Sequence, residues 1–161
     1  MNGQSAHNSN WQIGEVVFCV PFLIGIGLSI AYPAALYPAG YQPVGIAAGV
    51  VLVIIGLSLL SAARRELAHY QQPTDPGHPT TKLVTTGVFG VSRNPLYLAA
   101  VLLFAGLAFA LNNPWALGAT AVGTIACHVV LIVHEERYLE EKFGDEFVRY
   151  RHHVNRWLGR R

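Results

Sequence analysis

The chain has 161 residues, 52% of them hydrophobic and 12% charged, with a formal net charge of +2. An ordinary soluble domain carries roughly twice that share of charge, about 25%, so the composition points to a membrane protein or an unusually apolar core. The small net charge argues against a nucleic-acid partner, and two cysteines, Cys19 and Cys127, in separate apolar runs form neither a disulfide framework nor a zinc cluster.

The first fourteen residues, MNGQSAHNSNWQIG, contain no lysine or arginine. They lack the basic region of a cleavable signal peptide, so the first apolar run is expected to stay in the protein. Four such runs follow, at about 16–36, 44–63, 95–111 and 114–133. Each approaches the roughly 17 to 25 residues that cross a bilayer as a helix. None alternates as a strand does. All eleven Lys and Arg residues fall either between the second and third runs or after the fourth. The connections YPAGYQP and NNP hold none. By the positive-inside rule, the loop 64–94 and the tail 134–161 face the cytoplasm, and with four spans so does the N-terminus. The expected fold is all-α: one integral-membrane domain over 1–161, with about four transmembrane helices and a C-terminal interfacial amphipathic helix.

Within the loop, HYQQPTDPGHP is rich in Pro and polar residues and reads as extended or turning. TTKLVTTGVFGV is more apolar and suits packing at the membrane surface or over a site. In the tail, Leu139, Phe143, Phe147, Tyr150, Val154 and Trp157 recur every three or four residues, one apolar stripe on a charged helix. Gly144 should break it and Asp145 restart it as an N-cap. Most of this tail reads as lying on the lipid headgroups, with one wall of a pocket as the alternative.

The third run opens with Arg93-Asn94-Pro95. Asn is a strong N-cap and Pro fits the first helical position. Arg93 therefore stands outside the positive end of a helix, where an anion is welcome. Taken alone, an arginine there is more simply a lipid anchor. Its setting adds a second observation. Asn112-Asn113-Pro114 closes a tight hairpin. Seventeen residues down and twenty back cover about 26 and 30 Å. Glu135 and Glu136 should then emerge beside Arg93. Adjacent carboxylates at a membrane border carry a desolvation cost. They are read evenly as a site or as a solvated acidic turn. Together these residues outline a bipolar pocket, with Arg93 for an anion, the two glutamates for a cation, and Tyr97 one turn inside. A zwitterion with a cationic centre, such as S-adenosylmethionine, fits it. His128 lies on the Glu135 face and reads as an interhelical hydrogen bond or as lining a path to the site. The remaining histidines lack metal-ligand spacing.

LVTTGVFGVSRNPLYL, then NNP, then EERYLEEKFGDEFVRYRHHVNRW resembles the isoprenylcysteine carboxyl methyltransferase and phospholipid methyltransferase superfamily. The resemblance covers about Lys82 to Trp157. It implies an integral-membrane methyltransferase that uses S-adenosylmethionine on a lipophilic acceptor reached from the bilayer. By position it places Leu83, Val84, Gly87, Arg93, Asn94, Tyr97, Glu135 and Glu136 around the cofactor, with Arg93 and Glu135 nearest the chemistry and no metal. Asn94 stands where the prenylcysteine enzymes carry histidine. It resembles the bacterial and phospholipid-type members and puts prenylcysteine in doubt as the acceptor. It also suggests a bacterial inner membrane, with the site facing the cytoplasm. Two other classes remain. Membrane sterol and steroid reductases share a similar hairpin and bind NADPH, although an acidic pair repels phosphates. A non-catalytic scaffold would keep the hairpin as a partner surface.

Overall fold

A computed structural model describes residues 14–72 and 80–160. The polar N-terminus and most of the Pro-rich stretch of the loop lie outside these residues. The described chain is helical, with no strand beyond one isolated pairing of Val154 with Arg160. Six α-helices follow in order: α1 Gly14–Ala31, α2 Gln42–His69, α3 Pro95–Ala110, α4 Pro114–Ala126, α5 Val133–Phe143 and α6 Asp145–His153. A π-helical stretch, Cys127–Ile132, joins α4 to α5 without a break.

Helix ends follow local chemistry and shift several expected boundaries. The first apolar run was expected to reach residue 36, but α1 stops at Ala31. Pro33 disfavours helical backbone at the residue before it and supplies no N–H. In contrast, α2 runs past the expected 63 to His69, so Arg64 and Arg65 lie on the helix and not in a loop. At the hairpin, Asn112 adopts a positive φ of 52°, and the Asn113 side chain accepts from the Ala116 N–H at 2.9 Å to cap α4.

In space α2 packs chiefly on α3, α1 on α4, and α3 on α4. The α2–α3 contact is the closest. A Cβ on Gly49 would stand 2.5 Å from the Gly106 carbonyl, and one on Gly106 2.7 Å from the Gly49 carbonyl. Small residues let backbones meet where lipid offers no hydrophobic drive to associate. Phe18 from α1 is buried against Cys127, Leu131 and Ile132, with its ring stacked 5.7 Å from that of Phe104 on α3.

Two helices, Ala39–His69 and Pro114–Phe143, are long and apolar enough to cross a membrane. Only 17% of the apolar window in the first is buried inside the protein, unlike the core helix of a soluble domain. Its outward residues, such as Val44 and Val51, are more than half exposed.

The tail breaks at Gly144, as expected. Gly144, with φ 52°, turns the chain between α5 and α6. It is Gly144, not Asp145, that occupies the N-cap position of α6. The apolar stripe closes on the protein: Phe147, Tyr150 and Val154 bury Leu83 of the loop. Trp157 lies beyond the helix and packs against the Phe18 cluster instead. The loop supplied an apolar partner that the stripe alone could not reveal.

Candidate functional site at the membrane border

The start of α3 is tied to the tail by a set of hydrogen bonds. The Arg93 N–H donates to the Asn155 carbonyl at 3.1 Å, and the Gly159 N–H to the Val91 carbonyl at 2.8 Å. Asn94 sits in the cap position, but its side chain does not cap α3. Its Nδ2 donates instead to the Arg156 carbonyl at 3.1 Å. The Tyr150 hydroxyl donates to the Phe89 carbonyl at 2.7 Å, and Arg160 Nε to the Gly90 carbonyl at 3.0 Å.

This closure gathers charge in little space. Arg93 Nη2 lies 3.1 Å from Glu136 Oε1, with both side chains under a tenth exposed. Arg156 grips the same carboxylate through Nε at 3.0 Å and Nη2 at 2.6 Å. Its third nitrogen, Nη1, is 3.1 Å from His128 Nε2. Arginine only donates, so that imidazole nitrogen accepts and the ring proton sits on Nδ1. The Trp157 ring stacks beside His128 at 6.3 Å. Glu135, partly buried, is a neighbour of the Tyr97 hydroxyl.

Two donors of Arg93, Nε and Nη1, are buried and find no hydrogen-bond partner among the described residues. Leaving a buried donor unmet costs about 1–3 kcal/mol, more for a charged group, so such orphans need an explanation. Burial lowers the Arg93 pKa from the usual arginine range; Glu136 opposes that and Arg156 adds to it. Arg156 is raised, chiefly by its hydrogen bonds to Glu136. Two arginines against one shared carboxylate leave a local surplus of positive charge.

The structure thus brings Arg93, Asn94, Glu136, Tyr97 and Glu135 to one end of the bundle. Leu83 and Val84 are buried in the loop, where Leu83 packs on the tail. Gly87, with φ 56°, turns over the Glu66 carboxylate, the nearest group to where its Cβ would stand. These loop residues have neighbours of their own, distinct from the ion-pair cluster. Arg156 was not legible as a member. It is one of seven basic residues after the fourth run, and nothing local separates it from the rest. His128 pairs with Arg156 beside Glu136, eight residues on, and not along the Glu135 face. A π-turn takes more residues than an α-turn, which shifts the register.

An open cleft of about 200 Å³ adjoins the cluster, lined by Thr124, Ile125, His128 and Trp157.

The family model of phospholipid methyltransferases matches residues 44–146. The chain belongs to the phospholipid methyltransferase family. It is 31% identical over 110 residues to protein-S-isoprenylcysteine O-methyltransferase B of Arabidopsis thaliana, covering 66% of this chain and 55% of the plant enzyme. It thus spans about half that relative's length. It is also 36% identical over 63 residues to an uncharacterized protein of Haemophilus influenzae, covering 39% of this chain and all of that one. No solved structure matches it significantly. Membership in this family, with two long apolar helices, points to a membrane methyltransferase.

Proposed function

We propose that this phospholipid methyltransferase family member transfers a methyl group from S-adenosylmethionine to a lipophilic carboxylate or amine at the cytosol–membrane border. In this reading the chain is one integral-membrane domain with four spans, α1 to α4, in a bacterial-type inner membrane. The loop and tail lie on the cytoplasmic side, where all the basic residues fall. The observation that carries the proposal is the pair of unmet Arg93 donors beside the Glu136 carboxylate.

The residues present fit the cofactor's chemistry. Arg93 Nε and Nη1 lie on opposite sides of the guanidinium, each a charged donor open to an anion. Glu136 is committed to two arginines, so Glu135 is left to face a cationic centre. When bound, S-adenosylmethionine supplies a methyl group already activated by its sulfonium. The protein's part is to orient and to exclude water. Arg93 holds a carboxylate in place by a charge-assisted hydrogen bond from one of these donors. The Tyr97 hydroxyl stands near the Glu135 carboxylate and would help orient it. For an amine acceptor, Glu135 takes the proton that must leave before the nitrogen can attack. A carboxylate acceptor is already ionised at pH 7 and needs no base. Leu83, Val84 and Gly87 would bound the cofactor from the loop, and Asn94 would set the position of Arg93.

Calorimetric titration of the detergent-purified protein tests this, with S-adenosylhomocysteine and NADPH in parallel. The expected result is binding of S-adenosylhomocysteine that Glu135→Ala weakens about tenfold or more, the worth of one charge-assisted contact. Binding of NADPH alone would replace the proposal with a reductase. Binding of neither by folded protein would favour a scaffold.

A further inference from the structure

We infer that Arg156 is a positioning residue for anion binding: by occupying Glu136, it keeps Arg93 from closing onto that carboxylate and so leaves Arg93 free to take a ligand's anion. The inference rests on the proposed function for the identity of that ligand, though not for the geometry.

A guanidinium beside a carboxylate ordinarily settles into a two-bond fork. Arg93 does not. It makes a single contact, Nη2 to Glu136 Oε1 at 3.1 Å, while its Nε and Nη1 remain buried and unmet among the described residues. Arg156 accounts for this. Its Nε and Nη2 approach Glu136 Oε1 and Oε2 at 3.0 and 2.6 Å, so the fork on that carboxylate is already taken. Three further contacts fix Arg156 there. Its Nη1 meets His128 Nε2 at 3.1 Å, its carbonyl accepts from Asn94 Nδ2 at 3.1 Å, and the carbonyl before it accepts from the Arg93 N–H at 3.1 Å. The strand of tail that carries Arg156 therefore also braces the backbone of Arg93.

The charge count gives the same answer. With both arginines present, one positive charge is left over for a ligand. Without Arg156, Arg93 and Glu136 neutralise each other and the anion competes with a buried carboxylate. Removing Glu136 as well would release Arg93 again. A merely structural role for Arg156 predicts no such recovery.

The test is titration of the full-length protein with S-adenosylhomocysteine. Arg156→Gln should weaken binding about tenfold or more, and adding Glu136→Gln should restore affinity to within about threefold of the parent. Loss in the single variant without recovery in the double would overturn the proposal, as would unchanged binding in the single. Should Arg156→Gln fail to fold, Arg156→Lys replaces it. Lysine keeps the charge but cannot fork, so a smaller loss, again reversed by Glu136→Gln, is expected. A second readout needs no ligand. The side-chain ¹⁵Nε–H resonance of Arg93, assigned by its disappearance in Arg93→Lys, should move in Arg156→Gln and return in the double variant. An unmoved resonance overturns the proposal. A moving resonance in a parent protein that binds no S-adenosylhomocysteine supports Arg156's role and sinks the proposed cofactor instead.

Discussion

Single residues hold this site together across long stretches of sequence. Tyr150 is one. Its hydroxyl donates to the Phe89 carbonyl 61 residues away, at 2.7 Å. Burial pushes its pKa above the ordinary tyrosine value. A folded-state pKa above the unfolded one means the folded form holds its proton more tightly. The resulting stability is complete below about pH 10, where unfolded tyrosine titrates, and is lost as pH rises beyond it. Tyr150→Phe should cost about 1 kcal/mol near neutral pH and should flatten the loss of stability above pH 10, both read from thermal unfolding in detergent. An undiminished alkaline slope would show that Tyr150 is not the group responsible. At this scale the sequence was informative about Arg93 and Glu136, because apolar run lengths set their depth. It was silent on Arg156, whose partners lie 20, 28 and 62 residues away. No local pattern encodes contacts of that separation.

At the level of elements, helices expected from apolar run length appear, and their ends obey proline and asparagine. What pattern could not show is how tightly two of them meet. Gly49 and Gly106 bring α2 and α3 into backbone contact. Backbone cannot yield as a side-chain tip can, so Gly49→Val must part the helices. A loss of about 2 kcal/mol is expected, within the usual cost of overpacking. Gly27, whose Cβ would meet nothing within 4 Å, is the control, and Gly27→Val should be close to neutral. Equal losses in both would mean that β-branching, not the α2–α3 contact, sets the effect. The tail shows a complementary limit. Its stripe correctly marks an apolar face, yet a stripe does not name its partner. Leu83 fills that place.

For the molecule as a whole, segregated charge was the strongest sequence signal, and the proposed orientation depends on it. Gly40 stands in the short turn before α2, exposed and with open space around it. Lys82 is exposed in the basic loop. In a protein with Cys19 replaced by Ser, leaving the buried Cys127, cysteines can be placed singly at 40 and 82. In intact bacterial cells a membrane-impermeant maleimide should label Gly40→Cys and spare Lys82→Cys, with the pattern reversed in inverted vesicles. The opposite pattern would put the site on the outer face. The π-helical stretch adds a constraint of another kind, because it makes the reach of the fourth helix a matter of residue count. Drawing these six residues into α geometry without removing one would turn everything after them by about 100°. Glu135 and Glu136 would swing away from Arg93 while the contacts upstream stayed in place. Side-chain replacements here are absorbed one at a time, whereas loss of the π-turn at constant length would misalign the whole acidic face at once. In this span, length is inherited information.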